Sequence, residues 1–310
     1  MDPDKYHLPV MTDEAVAFLN CRSGGVYIDC TLGGGGHGLE ILKASSPAGR
    51  LIGIDRDADA VRQSRKTFAN YLSRVSIVHS NFKRLKDLAS ERRIRDVDGI
   101  LVDLGISSHQ LDSAGRGFSL MKEGPLDMRM NQESGESAAD LLKRLTVEEL
   151  DSIFRDYGEE RWSRRIAEFI KSGGEPETTL ELAALVERAV PKKFYPKKIH
   201  VATRVFQALR IAVNEELASL DHFIEDAVSL LKKGGRLVMI SFHSLEDRIV
   251  KNVFNSLAFS CLCPPDLPYC RCERKNLITI ITKKPVVPTN EEIRNNPRAR
   301  SAKMRVAECL

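Results

Sequence analysis

The sequence predicts an α/β fold, a largely parallel sheet interrupted by a helical insertion. Three observations carry this. Short apolar runs alternate with helical periodicity from Val26 to Asp103, as in consecutive βαβ units. The pattern breaks near Arg116 and resumes near Val201. A glycine-rich turn sits between the first apolar run and the first helical one.

Taken in order, Val26–Cys30 reads as a strand and Gly38–Ala44 as its following helix. Leu51–Ile54 is the second strand and Asp57–Tyr71 the second helix. Val75–Val78 and Gly99–Asp103 are the third and fourth strands. From Arg116 to about Lys198 the chain is polar, helical and strand-poor, with breaks at Ser134-Gly135 and Ser172-Gly173-Gly174. Val201–Lys232 reads as one long helix or two, and Arg236–Phe242 as a strand behind a Gly234-Gly235 turn. Leu277–Thr282 and Met304–Ala307 suit a closing antiparallel pair. The expected organisation is a discontinuous sheet domain, 1–115 plus 200–310, with an inserted helical domain over 116–199.

A chain of 310 residues can bury the core this requires. No apolar run spans a bilayer, and Met1–Val10 lack the apolar stretch of a secretory signal. A cytoplasmic protein with no membrane partner is expected. Seven cysteines, an odd number, fit reduced thiols better than a disulfide framework. The net charge of +4 is unevenly placed. Arg188 to Arg210 holds seven Lys/Arg and no Asp/Glu, and Arg271 to Leu310 holds ten against four. Such clustering suits a polyanion, although a solvated face explains it as well.

The turn Gly33-Gly34-Gly35-Gly36-His37-Gly38 presents bare backbone amides at a helix N-terminus, a place for an anionic group. Gly33, Gly35 and Gly38 also satisfy G-x-G-x-x-G, so a nicotinamide-dependent oxidoreductase competes. Asp55 ends the second strand, nineteen positions after Gly36, where a carboxylate can accept from ribose hydroxyls. Phe82, just past the third strand, suits stacking on an adenine or a place in the core. Asp103 ends the fourth strand and points at the same crevice, since ligands of open α/β sheets sit at carboxyl strand ends.

Several of these segments are shared with one family. Tyr27 to His37, Asp103-Leu104-Gly105-Ile106-Ser107-Ser108, Arg116-Gly117-Phe118-Ser119 and Gly124 to Met130 resemble the small-subunit rRNA cytosine-N4 methyltransferases, the MraW or RsmH family. So do His200 to Arg210, Ser241 to Arg248 and Asn295 to Arg305, in the expected order along the whole chain. The resemblance implies a class I S-adenosylmethionine-dependent methyltransferase, with a Rossmann-like sheet and an inserted helical substrate-recognition domain. It implies methylation of a cytosine N4 in the decoding region of 16S rRNA. By the same resemblance the S-adenosylmethionine contacts are Gly35, Gly36, His37, Asp55, Phe82, Asp103 and Gln110.

A cytosine N4 lone pair is delocalised into the ring, so an acceptor for its proton and an in-line geometry are needed. Asp103, Ser107, Ser108 and the Ser241–Ser244 segment offer acceptors, and His243 could orient the base or be purely structural. Phosphate contacts are expected from Lys192, Lys193, Lys197, Lys198, Arg298, Arg300 and Lys303, with Arg129 and Arg204 in the shared motifs. The expected partners are small-subunit rRNA or a ribosomal particle, with a homodimer also open. Cys261, Cys263, Cys270 and Cys272 form C-x-C-x6-C-x-C, which suits either a structural zinc or a reduced proline-rich loop. A non-catalytic RNA-binding assembly factor remains open beside the enzyme.

Overall fold

A computed structural model describes residues 9–259 and 276–310. These fall into two compact units, 1–105 with 218–310, and 106–217.

The first unit is built on α1 (Thr12–Leu19), β1 (Val26–Asp29), α2 (Gly36–Ala44), β2 (Arg50–Asp55), α3 (Ala58–Thr67), β3 (Val75–His79), α4 (Leu85–Glu91) and β4 (Val97–Asp103). In the second unit come α5 (Ser108–Asp112), α6 (Ala138–Arg144), α7 (Val147–Asp156), α8 (Ser163–Ser172), α9 (Thr179–Ala189) and α10 (Thr203–Asn214). The chain then returns through α11 (Leu220–Leu230), β5 (Leu231–Ser241), α12 (Ser244–Ala258), β6 (Ile278–Ile280), α13 (Asn290–Asn295) and β7 (Lys303–Cys309).

Among the described residues the strands form one sheet in the order β3-β2-β1-β4-β5-β7-β6. β1 to β5 run parallel, and β7 lies antiparallel between β5 and β6. The antiparallel β7 separates this sheet from the dinucleotide-binding order, which ends in a sixth parallel strand. It is the arrangement of class I methyltransferases.

Parallel strands are covered on both faces, so they read as continuous apolar runs. β4 is buried throughout except at Asp103. One face carries a core around Tyr27, Leu51, Phe68 and Val238, and the other a core around Ile100, Phe223, Leu237 and Phe254.

Three expectations shift in detail. The helix expected over Asp57–Tyr71 ends at Thr67 and continues as a 3-10 turn, Ala69–Tyr71, because the fully buried Phe68 occupies its C-cap. Gly234-Gly235 does not precede the strand but lies inside β5, where the pairing slips between Val97↔Leu231 and Gly99↔Arg236 and Gly234 takes φ 76°. The second unit runs from 106 to 217, wider than the expected 116–199. The reason is α10, whose Val205, Phe206, Ala208 and Leu209 share a core with Leu126, Leu150 and Leu182. Asn214 fastens it, donating from Nδ2 to the Met128 carbonyl at 2.7 Å and accepting the Met130 N–H on Oδ1 at 2.8 Å.

Candidate functional site

The carboxyl ends of β1, β2 and β4 each place an aspartate at the rim of the sheet. Asp29 ends β1 and Asp55 ends β2, with the glycine turn between β1 and α2. Asp55 Oδ2 accepts the Gly33 N–H at 2.7 Å and Oδ1 accepts the Asp57 N–H at 2.8 Å. Asp57 itself caps α3, accepting the Asp59 N–H at 3.0 Å. The two aspartates therefore divide the work that either could do, and Asp55 is left facing the turn.

Asp103 closes β4. Its N–H donates to Thr31 Oγ1 at 2.6 Å, which ties the end of β4 to the turn after β1. Its Oδ1 is buried with no hydrogen-bond partner, as is Asp29 Oδ2. His37 Nε2 meets the Val10 carbonyl at 2.9 Å, and Nδ1 stands 3.9 Å from Asp103 Oδ2. Bonding to a carbonyl makes Nε2 the protonated nitrogen of a neutral ring.

Burial governs the ionisation of this group. It pushes Asp29 up to about 7, against the Thr31 N–H that favours the charged form and with the nearby charge of Asp55. Asp103 rises well above the usual carboxylate range, by burial first and then through Asp29 and Glu246. Asp55 also rises by burial, opposed by the N–H groups of Asp57 and Gly33. His37 falls to about 4, because burial disfavours its cation more than the Val10 carbonyl supports it.

The glycines of the turn are explained in part by packing. Gly35 takes φ 90°, and a Cβ there would stand 2.6 Å from the Phe68 ring. At Gly36 a Cβ would meet Pro9 at 2.8 Å, and at Gly38 it would meet Leu51 at 2.7 Å. At Gly33, with φ 54°, a Cβ would meet only the Thr31 carbonyl oxygen, at a comfortable 3.9 Å. The absence of side chains at Gly35, Gly36 and Gly38 thus lets the chain pack on itself. What remains for a ligand is the backbone N–H groups that open α2, which no side chain caps.

Other residues singled out in the sequence have local structural duties. Phe82 packs edge-on against Phe223, with centroids 4.8 Å apart. Gln110 and Ser107 form the capping box of α5: Gln110 Oε1 accepts the Ser107 N–H at 3.0 Å, and Ser107 Oγ accepts the Gln110 N–H at 3.2 Å. Ser108 is the first residue of that helix. His243 is the N-cap of α12, its Nδ1 accepting the Glu246 N–H at 3.4 Å. Its Nε2 lies 3.1 Å from Glu246 Oε1 but without hydrogen-bond geometry. Glu246 Oε2 in turn accepts the Phe242 N–H at 2.9 Å.

Lys192, Lys193, Lys197, Lys198, Arg204, Arg298 and Arg300 are exposed. Arg129 is not a free cation: it grips Asp127 through Nε at 2.8 Å and Nη2 at 2.9 Å. Lys303 is paired with Asp247 at 3.3 Å. Cys261, Cys263, Cys270 and Cys272 lie outside the described residues. Sequence reasoning passed over Asp29, Thr31 and Glu246. The first two lie within the Tyr27–His37 motif, beside the glycines that drew attention.

A family model described as the MraW methylase family matches residues 4–310. The chain belongs to this family. Among its curated relatives is ribosomal RNA small subunit methyltransferase H of Geobacter sp. (strain M21), 50% identical over 308 residues that cover 98% of this chain and 99% of the relative. The protein of the same name from Clostridioides difficile (strain 630) is 48% identical over 306 residues, 98% of each chain. Among solved structures, a precorrin-6y C5,15-methyltransferase of Geobacter metallireducens aligns over 99% of this chain and 97% of its own, at 9% identity and TM-score 0.42. Among the described residues no helix is long and apolar enough to cross a membrane.

Proposed function

We propose that this chain uses S-adenosylmethionine to methylate the N4 amine of a cytosine in the decoding region of small-subunit (16S) rRNA. The observation that carries the reading is identity near one half, end to end, with relatives named as small-subunit rRNA methyltransferases. The aspartate-lined rim supports the methyl donor. Asp55 carries acceptor oxygens for ribose hydroxyls, and the uncapped N–H groups of α2 suit the methionine carboxylate. The buried, unpartnered oxygens of Asp29 and Asp103 call for polar ligand atoms that the protein does not supply. The donor residues present therefore fit the group.

When bound, S-adenosylmethionine supplies an activated methyl carbon on a sulfonium. The chain's part is to hold the base in line and take the N4 proton. We assign the acceptor to Asp103, whose Oδ1 is an unpartnered acceptor at the carboxyl end of β4. His243 and Ser107 are assigned positioning duties, since their acceptor atoms are engaged in helix caps. Exposed lysines and arginines of the basic segments hold phosphates.

The experiment is transfer of isotopically labelled methyl from S-adenosylmethionine to small ribosomal subunits and to naked 16S rRNA, followed by mass mapping of nucleotides. Label as N4-methylcytidine at one decoding-region position is expected. Label on another base or atom, or none, overturns the reading.

A further inference from the structure

Between α9 and α10, Lys192–Phe194 form a 3-10 turn. Phe194 keeps 43% of its surface exposed at the tip. Trp162 stands beside it, with centroids 5.1 Å apart and planes tilted by 44°. The guanidinium carbon of Arg161 lies 5.9 Å from the Phe194 centroid, and Lys193 Nζ lies 5.0 Å from it. The turn is held from behind. The Tyr195 hydroxyl donates to the Glu187 carbonyl at 2.7 Å, the Phe194 N–H donates to the Pro191 carbonyl at 2.9 Å, and prolines at 191 and 196 restrict the backbone.

Several other cations of this unit are neutralised, although Arg165 and Arg188 are not. Arg129 is paired with Asp127, Arg144 with Glu136, Arg155 with Asp151 and Arg210 with Glu216. Arg161, Lys192, Lys193, Lys197 and Lys198 form no ion pair with any described carboxylate. The carboxylate nearest these lysines in sequence, Glu187, is bonded to His200 Nε2 at 2.9 Å. A solvated lysine face needs no aromatic in its midst. An exposed phenylalanine braced by a half-buried tryptophan among unneutralised cations is what an unpaired base and its flanking phosphates require.

We infer that Phe194, backed by Trp162, is a stacking platform for an unpaired RNA base, with the adjoining phosphates taken by Arg161 and Lys193. The inference rests on the RNA reading above and adds a contact used in binding. It is separable from the methylation chemistry because it can be read without transfer.

Trp162 is the only tryptophan of the chain, so its emission reports on this spot. The full chain is titrated with a single-stranded RNA oligonucleotide and with its abasic counterpart. The RNA quenches Trp162 and the abasic chain quenches it little. Phe194→Leu weakens RNA binding about tenfold with an unchanged salt slope, whereas Phe194→Tyr binds like the parent. Arg161→Gln and Lys193→Gln each lower the salt slope by about one. Melting of Phe194→Leu at the parent's temperature excludes misfolding as the cause. Parental affinity in a folded Phe194→Leu overturns the inference. So does weakened binding to protein-bearing ribosomal particles with unchanged binding to free RNA, which assigns the surface to a protein. If methyl mapping fails while these RNA effects stand, the proposed reaction falls and the platform does not.

Discussion

Asp55 Oδ2 accepts the Gly33 N–H at 2.7 Å, so the end of β2 holds the turn that follows β1. The same carboxylate accepts the Asp57 N–H, which sets the start of α3. One side chain thus shapes the glycine turn and is itself aimed by two backbone donors.

Asp55→Ala removes both acceptors and leaves the Gly33 N–H without its partner. A loss of about 1–3 kcal/mol in stability is expected for the abandoned donor. Affinity for S-adenosylhomocysteine falls in the same variant by tenfold or more, in line with about 1.4 kcal/mol for each tenfold step. Asp55→Asn keeps one acceptor oxygen and falls between. Calorimetric titration and thermal melting on the three proteins check this. An alanine variant with parental melting and parental affinity contradicts it.

The glycines make a second, internal contrast. Gly35→Ala combines φ 90° with a Cβ 2.6 Å from the Phe68 ring, while Gly33→Ala, at φ 54°, meets only the Thr31 carbonyl at 3.9 Å. Left-handed strain alone costs about 1–2 kcal/mol. Overpacking a closed core adds about 1–3 kcal/mol. Gly35→Ala is therefore expected to be the less stable of the two in denaturant titrations. Equal midpoints sink the claim that packing on Phe68 fixes Gly35.

Two buried groups give opposite slopes of stability with pH. Asp29 binds its proton more tightly folded, at about 7, than unfolded, near 3.8. Between those values the folded chain holds more protons, so its contribution falls as pH rises and is fully adverse above about 7. His37 drops from 6.5 to about 4 on folding. Between these the unfolded chain holds more protons, so stability is lost as pH falls from about 6.5 towards 4. Asp29→Asn removes the first slope and leaves the second, and the variant gains on the parent as pH is raised from 4 to 7. Unfolding free energies across that range measure it. A parent and variant with parallel profiles refute it.

How far all this was legible follows from the range of each signal. The alternation from Val26 to Asp103 and the glycine turn within it are local, and β1, α2, β2, β3 and β4 arise close to where the pattern puts them. Asp55 is legible because strand end and glycine turn are near in sequence. The edge contact of Phe82 with Phe223 joins distant parts of the chain, so no local pattern distinguishes stacking from core. The same holds for Asn214, whose bonds to Met128 and Met130 carry the second unit past its expected limit. Ser107 and Gln110 are a different case. Their spacing is a capping box, visible in the sequence, and their hydroxyl and amide also suit chemistry, so residue type alone does not separate the two.

His243 allows that distinction between local duty and chemistry to be tested. Its imidazole accepts the Glu246 N–H at the start of α12, and Glu246 reaches back to the Phe242 N–H at 2.9 Å. Replacing an N-cap by alanine costs about 1 kcal/mol, while asparagine is among the best caps. His243→Ala is therefore expected to melt earlier and to lose turnover with it, because the cap fixes the end of β5 beside β4 and Asp103. His243→Asn restores both. Methyl transfer and melting measured on the two variants separate the roles. Should His243→Asn recover its melting temperature but not its turnover, the imidazole takes part in the reaction, and the positioning assignment is wrong.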